Sequence, residues 1–534
     1  MDALVEQQYR DAIAVNLNNV VASTFIPEFG FPFSGKVRDI YDLGDVLLML
    51  TSDRVSAFDI VHQRQIPFKG AVLNGLSLFG FDLTSDIVPN AIISSPDPYA
   101  IVQEKLEKIE FEFVVRGYMW GSLAEAYEQG EHSICGIGLP EGLLRYQKLP
   151  EPLFTPTTKS PSGHHDIPVT LDQILNGFKA PWGKVTGLAE RYGLEKGKQI
   201  LDSIKRISIQ NYLRVDEHAR SVRTLFIDTK YEFGIDRDGQ IKLIDEANTP
   251  DSSRMVDLQE HHDKWSQIDA LMRTNGNTYR HVSELLKVRG DLKIKELSKE
   301  YLREKLIALG YKKGDTVLPD ISPDVIIETA LRYIETYERF TGRKFDFVQS
   351  ELAGAKRLMH NLVKAGLAQG YCAVVVAGSD SDAIHVEKIR KSLDEYGVPN
   401  QVRVVSAHKQ PNMVSAMVKF YDRQSIEPLL WVTVAGGVDA LSGSVSWESR
   451  YPTVSCPPDA PNESCLNNPA GSPNATIYKP KNVGKFAAQA FSWINPKLAE
   501  RISQQNANKV EGLEAADELA RTGKFEELLK RHKR

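Results

Sequence analysis

Between residues 225 and 254 the chain reads LFIDTKYEFGIDRDGQIKLIDEANTPDSSR, and its two-residue period leaves little choice of local fold. Asp228, Lys230 and Glu232 fall on one side of an extended strand, while Leu225, Ile227, Tyr231 and Phe233 fall on the other. One side carries chemistry and the other packs. Asp236-Arg237-Asp238-Gly239 has the composition of a turn, and a second run from Gln240 to Asp245 follows it and ends in the acidic pair Asp245-Glu246. The spacing predicts a β-hairpin with carboxylates on both arms.

Two carboxylates and a lysine on facing strands suit a magnesium–nucleotide site. Mg²⁺ takes one or two carboxylates along with phosphate oxygens, and lysine adds a mobile positive charge. Any one of these charges alone reads as solvated surface. The segment Thr249-Pro250-Asp251-Ser252-Ser253-Arg254 raises the reading above that, because a hydroxyl-rich turn ending in a guanidinium suits a second anion.

The remaining features of the first half are local. Lys36 and Arg38 lie two apart, so they are expected to point the same way from one strand. Phe111 to Arg116 reads as a short buried strand that delivers Arg116, Gly121 and Ser122 at its end, a guanidinium beside close backbone approach and a hydroxyl. Residues 149–168 are rich in proline, serine and threonine and are expected to form a mobile loop without regular structure. The adjacent His164 and His165 in it are not read as a metal site, since neighbours point apart and no third ligand is evident. Helical periodicity marks roughly 183–220, 297–309 and 322–341.

DTKYEFG at 228–234, LIDEANTPDSSR at 243–254 and GKVRDIYDLG at 35–44 resemble, in order, the signature segments of SAICAR synthetase, the ATP-dependent ligase of purine biosynthesis. The resemblance runs from about residue 20 to 346 and implies an α+β, ATP-grasp or kinase-like domain using ATP and Mg²⁺. It implies ATP contacts at Lys36, Arg38, Lys230 and Glu232, a metal on Glu232 and Asp245, and catalytic roles for Lys230 and Asp251. It places Arg116, Ser122 and Arg254 on the ribonucleotide 5′-phosphate, with Ser252, Arg54 and Asp59 near the substrate and His165 and Asp166 near the incoming L-aspartate. Gly80 in SLFGF departs from the family pattern, which has an aromatic residue there.

At 534 residues the chain exceeds what one hydrophobic core organises, so two or more domains are expected. We divide it into a synthetase domain at 1–347, a linker helix at 348–370 with Leu352, Leu358, Met359, Leu362 and Val363 at helical spacing, and a second domain at 371–534. A net charge of -5 gives no electrostatic case for nucleic acid or an anionic membrane as partner. The four cysteines lack ligand spacing and suggest free thiols, the N-terminus lacks a secretory apolar core, and runs such as 46–50 are too short to cross a bilayer. A cytoplasmic protein is expected.

After Gly370 the texture changes. A continuous apolar run from Tyr371 to Ala377 breaks at Gly378-Ser379-Asp380-Ser381-Asp382 and gives way to a helix with Ile384, Ile389 and Leu393 expected to face inward. A parallel strand, a small-residue turn and a helix N-terminus make an anion site. Strands at Gln401–Val405 and Leu429–Val434 lead into Ser406-Ala407-His408-Lys409-Gln410 and Ala435-Gly436-Gly437, so three strand-end loops are expected to converge on one crevice. GSDSDAIHVEKI and SAHK resemble the AIR carboxylase family, and its CO₂-using branch in particular, although Ala435 to Asp439 and the 456–471 loop depart from that branch. The resemblance implies a three-layer, flavodoxin-like α/β fold, a nucleotide site at Gly378, Ser379, Asp382, Ser406, Ala407 and Gly436, catalysis by His408 and Lys409 without a cofactor, and a homo-oligomer on an octameric core. The charged segment 497–534 reads as a helical packing arm with a basic tail.

Together these readings give a bifunctional purine enzyme that carboxylates aminoimidazole ribonucleotide (AIR) with CO₂ to its carboxylate (CAIR) and ligates that product to L-aspartate with ATP. Three alternatives stay open on sequence: an N-carboxy-AIR mutase in the second domain, a non-catalytic nucleotide-binding and oligomerisation module there, and a kinase-like phosphotransferase in the first.

Overall fold

The computed structural model describes residues 3–58, 60–161, 164–274, 279–297, 300–312, 314–347, 354–459 and 461–527. Asp59, Leu352 and the terminal KRHKR, all named above, lie outside them. The chain forms two compact units, one of residues 1–22 and 33–354, the other of residues 23–32 and 355–534.

In the first unit an antiparallel sheet has the order β1 (Phe33–Ser34), β2 (Arg38–Asp42), β3 (Val46–Thr51), β5 (Ala100–Glu104), β4 (Ile92–Asp97). Lys36 and Arg38 do not share a strand. Gly35 donates its N–H to the Arg38 carbonyl at 2.7 Å, so residues 35–37 are the β1–β2 turn. Lys36 is exposed at its tip and Arg38 is buried at the start of β2. Helix α1 (Lys69–Leu83) carries Gly80, where an added Cβ would come within 2.6 Å of the Ala247 carbonyl. The departure from the family's aromatic residue is therefore a packing requirement: the helix backbone lies directly on the 245–249 turn.

The second sheet is built around the alternating segment. Strand β9 (Thr224–Ile235) pairs with β6 (Phe111–Tyr118) along one edge and with β10 (Ile241–Ile244) and β11 (Ser253–Asp257) at opposite ends of its length. The expected hairpin forms: Glu232 lies opposite Ile244, Asp236 N–H bonds the Gln240 carbonyl at 3.0 Å, and Gly239 takes a φ of +84° in the turn. Helix α2 (Gly121–Glu128) follows β6, and the long α3 (Leu194–Ser221) covers the sheet, with the Tyr212 hydroxyl on the Phe226 carbonyl at 2.7 Å.

The expected structureless loop at 149–168 contains two strands in its first half. Lys148–Phe154 (β7) and Thr157–Thr158 (β8) both pair antiparallel with β6. Pro150 and Pro152 fall where the register shifts between Lys148 and Leu153, at the sheet's edge, where a missing N–H breaks no ladder. Gly183–Val185, expected as helix, is a short strand of a two-stranded ribbon, while helices form at Glu300–Ala308 and at α4 (Pro323–Thr341), the latter capped by Ser322.

The second unit begins with α5 (Gly354–Lys364), which buries Leu358, Met359 and Leu362 but leaves Val363 41% exposed. Its sheet is wholly parallel. Strands β12 (Cys372–Ala377), β13 (Asn400–Val404), β14 (Leu429–Val434), β15 (Thr453–Ser455) and β16 (Ala475–Thr476) lie in the order β13-β12-β14-β15-β16. Val386, Ile389 and Leu393 of α6 (Ala383–Tyr396) pack on one face with Val483, Ala487 and Phe491 of α9 (Pro480–Phe491). Val414 and Val418 of α7 (Pro411–Gln424) and Leu441 and Val445 of α8 (Leu441–Glu448) pack on the other. This is the expected three-layer architecture. Ile384, expected inside, is 77% exposed: the inward stripe runs 386, 389, 393, 396, and Ile384 lies about half a turn from it. The last helix, α10 (Lys497–Arg521), packs through Leu498 and Ile502 and is exposed along most of its remaining length.

Residues 23–32 belong structurally to this unit. Phe25 accepts the Ile426 N–H at 3.1 Å, and the Glu28 carboxylate accepts the N–H groups of Gln369 and Gly370 at 2.9–3.1 Å. Glu28 N–H in turn donates at 2.7 Å to Glu427, whose side chain is almost wholly buried. Burial, and then the neighbouring Glu28, hold the Glu427 carboxyl well above the usual carboxylate range.

Candidate active sites

The register of β9 makes the first site. Asp228 lies opposite Arg116 on β6 and opposite Arg254 on β11, so one buried carboxylate stands between two guanidinium groups. Arg254 is in close contact with it, and Arg116 Nη1 is 3.5 Å away with its Nε on the Thr155 hydroxyl at 3.0 Å. Arg254 also meets the start of α2: Gly121 has a φ of +55°, and a Cβ there would sit 3.0 Å from Arg254 Nη2. Exposed Ser122 follows on the first turn of α2. Two arginines and a helix N-terminus thus face one spot, an arrangement suited to a phosphate. Ser252 instead spends its hydroxyl on the turn, accepting Thr249 N–H at 3.2 Å, and Asp251 accepts from fully buried Lys69 at 3.1 Å.

Farther along β9, Lys230 donates to Glu112 at 2.7 Å and stands 4.0 Å from Glu232. Glu232 is 2% exposed and holds Lys159 at 2.7 Å through both oxygens, with Lys108 also in contact. Asp245 follows β10 in a left-handed conformation, φ +64°, fixed by two hydrogen bonds with the Gln103 amide at 2.9 and 3.1 Å. Its carboxylate receives Arg38 at 2.9 Å, and Arg38 reaches Glu246 at 3.2 Å. Burial would raise the Asp245 carboxyl, but Arg38, then Lys159, Lys108 and Lys230, outweigh it and hold the group at about 2. Asp245 therefore stays ionised, and it joins Glu232 in stabilising the ammonium of Lys159. That donor set fits a divalent ion. Among the described residues no cluster of three or more His, Cys, Asp and Glu gathers, so two protein carboxylates would need phosphate oxygens to complete the shell.

Arg54 lies by the β1–β2 turn of the first sheet, donating to Asp39 at 2.9 Å and to the carbonyl of Gly35, the residue before Lys36, at 3.4 Å. Asp166 accepts Ser160 N–H at 2.7 Å and lies close enough to Glu112 to act on it electrostatically, while the His164 ring lies tilted against Trp182 and His165 is exposed. Lys159, Lys108 and Glu112 escaped the sequence reading. The signal for Lys159 was available in its place at the end of TPTTK, directly before the small-residue loop.

In the second unit the crevice forms where β12 lies between β13 and β14 and the chain leaves in opposite directions, the usual ligand position in an open α/β sheet. Gly378 N–H bonds the Val434 carbonyl at 2.8 Å and Val405 N–H the Ala377 carbonyl at 2.9 Å, which aligns all three strand ends. Ser379 caps the Asp380–Asp382 turn, and Asp382, its carboxyl raised by burial, precedes α6. Ser406 to Gln410 forms a tight turn closed by Gln410 N–H on the Ser406 carbonyl at 2.7 Å, which leaves His408 and Lys409 exposed and Ala407 half-buried ahead of α7. At Gly436 a Cβ would lie 3.2 Å from the Asp459 carboxylate, which itself accepts Gly437 N–H at 2.7 Å. His385, on the first turn of α6, contacts the Cys456 carbonyl at 3.1 Å and was missed by sequence, although GSDSDAIH places it one helical step from Asp382.

The first unit thus gathers buried carboxylates and cations along β9, and the second opens a crevice of small residues at a parallel switch point. Residues 32–276 match the family model for SAICAR synthetase and residues 373–511 that for AIR carboxylase. The phosphoribosylaminoimidazole-succinocarboxamide synthase of Flavobacterium psychrophilum is 36% identical over 334 residues, covering 61% of this chain and 92% of that protein. The chloroplastic enzyme of that name from Arabidopsis thaliana is 34% identical over 365 residues, 67% of this chain and 77% of the other. Among solved structures, SAICAR synthase from Saccharomyces cerevisiae aligns at 26% identity and a TM-score of 0.47 over 61% of this chain and 98% of its own. PurE from Treponema denticola aligns at 32% identity and a TM-score of 0.26 over 28% and 98%. The chain belongs to the SAICAR synthetase family and carries an AIR carboxylase domain behind the synthetase. No helix among the described residues is long and apolar enough to cross a membrane.

Proposed function

We propose that the chain is a bifunctional enzyme of purine biosynthesis whose second unit carboxylates AIR with CO₂ and whose first unit ligates the product to L-aspartate at the expense of ATP. The observation that best supports the ligase assignment is that buried Glu232, bound to Lys159, and Asp245, bound to Arg38, meet at the β9–β10 hairpin on the strand that also carries the double-arginine cradle.

In the ligase site Arg116, Arg254 and Ser122 hold the 5′-phosphate of CAIR, with Asp228 fixing both guanidinium groups. Lys36, Arg38 and Lys230 serve the nucleotide. Glu232 and Asp245 would hold Mg²⁺, which when bound offsets charge on the transferring phosphoryl group. The imidazole carboxylate attacks the γ-phosphorus, the bond to the bridging oxygen breaks and ADP leaves. The L-aspartate amine then attacks the acyl carbon, loses a proton and expels phosphate. Asp251, fixed by Lys69, receives the amino group of the incoming amino acid, with His165 and Asp166 on its approach.

In the crevice of the second unit Gly378, Ser379, Asp382, Ser406, Ala407 and Gly436 position the ribonucleotide. Ring C4 forms the bond to the carbon of CO₂, and His408 takes the C4 proton as the ring electrons return. Lys409 favours the new carboxylate. A homo-oligomer through this unit is part of the proposal.

The test is incubation of the full chain with AIR, bicarbonate, ATP, Mg²⁺ and L-aspartate, omitting one component at a time and following imidazole absorbance. Carboxylation without ATP and amide formation only with ATP are expected. Product from N-carboxy-AIR but not from bicarbonate makes the second unit a mutase, and accumulation of a stable phosphorylated product over many turnovers without L-aspartate makes the first a phosphotransferase.

A further inference from the structure

We propose that Lys159 is a tethered competitor of the divalent cation: it occupies both oxygens of Glu232 and yields them only when metal and nucleotide bind together. The inference rests on the assignment of Glu232 and Asp245 as the metal pair. A carboxylate as buried as Glu232 needs a counter-charge at all times, because an unpaired ion in such a place is strongly destabilising. Lys159 Nζ provides it at 2.7 Å from both oxygens, where a bidentate cation would sit, while Lys108 contacts one oxygen alone. Asp245 adds to the same field, and the two carboxylates together outweigh the cost of burying the ammonium.

A divalent ion that takes both Glu232 oxygens at about 2 Å leaves neither of them to an ammonium at hydrogen-bond distance. Lys159 must therefore move for the metal to bind. Its position permits this. It is the first residue after β8, its side chain is 31% exposed, and the backbone on either side is held by the β8–β6 pairing and by Ser160 N–H on Asp166. Displaced but still attached, the ammonium lies beside a metal whose remaining ligands are phosphate oxygens, and these are its natural partners. With metal alone the lysine gives up a buried ion pair and gains only water. With nucleotide present it exchanges one anion for another. Metal and nucleotide binding are thereby coupled, each strengthening the other.

The experiment is Mn²⁺ titration of the full chain by electron paramagnetic resonance, with and without ADP. Lys159→Met should tighten nucleotide-free Mn²⁺ binding by about tenfold and shrink the enhancement that ADP gives. Lys159→Gln should act in the same direction, so a folding defect in one variant does not decide the result. Lys230→Met removes an equal charge from a lysine that pairs with Glu112, and should tighten Mn²⁺ binding by less than about threefold. Unchanged Mn²⁺ affinity in both Lys159 variants overturns the proposal, as does equal tightening by Lys230→Met. Glu232→Gln in the Lys159→Met background should abolish the tightened site. If it leaves Mn²⁺ affinity unaltered, the metal assignment itself is wrong, an outcome distinct from failure of the competition.

Discussion

Arg38 is the side chain whose removal tests the electrostatics of the ligase site most severely. It is 9% exposed and pairs with two carboxylates, Asp245 at 2.9 Å and Glu246 at 3.2 Å. Arg38→Met keeps the apolar stem and leaves both carboxylates without that partner, in a site where burial already works against the charge of Asp245. Breaking a buried pair by removing one partner costs about 3–5 kcal/mol. Lys159, Lys108 and Lys230 still act on Asp245, which puts the expected loss at the low end, about 3 kcal/mol. The assay is urea unfolding at pH 7, reading the transition of the first unit in a double-mutant cycle with Asp245→Asn. The double variant should be more stable than the sum of the singles by about 1 kcal/mol or more, because Asn removes the orphaned charge. Additivity to within about 0.5 kcal/mol would refute the claim that Arg38 acts through Asp245. The pH dependence has a definite sign. Asp245 has a folded value of about 2 against an ordinary 3.8, so its stabilisation is complete above pH 3.8 and is lost as pH falls toward 2. Arg38→Met should move that loss to higher pH.

Three further outcomes follow from the structure. Glu427 has a folded pKa above its ordinary 4.5, so it favours folding fully below that value and loses this contribution as pH rises through the folded value. Glu427→Gln, which keeps an acceptor for Glu28 N–H, should raise the Tm of the second unit at pH 8 and flatten its dependence between pH 5 and 8, as read by calorimetry. Gly80→Phe, which restores the family's aromatic residue, should destabilise the first unit by about 1–3 kcal/mol in urea, because the Ala247 carbonyl lies where the new Cβ must go. His408→Asn should abolish carboxylation of AIR while leaving ligation of supplied CAIR unchanged, and retained carboxylation would remove His408 from the reaction.

The hairpin, the β6 strand and the parallel sheet were legible because each rests on a local rule: alternation, turn composition, and apolar runs ended by small residues. What failed were readings in which local composition was outvoted by pairing. Pro150 and Pro152 suggested a loop, yet the segment sits at a sheet edge with a shifted register that needs no N–H from them. Lys36 and Arg38 have strand spacing, but Gly35 closes a turn between them. Ile384 is apolar at the start of a helix whose inward stripe begins two residues later. The candidate site was visible as a set of carboxylates, arginines and one lysine on and around β9, but not as the further lysines that pair with Glu232. Lys108, on the short strand Glu107–Lys108, and Lys159, just after β8, are far from β9 in sequence, and only the fold brings them onto Glu232. In the same way residues 23–32 show no composition that would assign them to the second unit; the contacts of Phe25 and Glu28 do.

The central claim is that Glu232 and Asp245 hold a metal against a nucleotide at the mouth of the β9–β10 hairpin. Diffraction at the manganese absorption edge from crystals grown with Mn²⁺ and a non-hydrolysable ATP analogue measures this directly. The account predicts an anomalous peak within coordination distance of both carboxylates, with the phosphate chain against it and Lys159 turned away from Glu232. A nucleotide bound elsewhere, or a peak that leaves Glu232 still joined to Lys159, would contradict it.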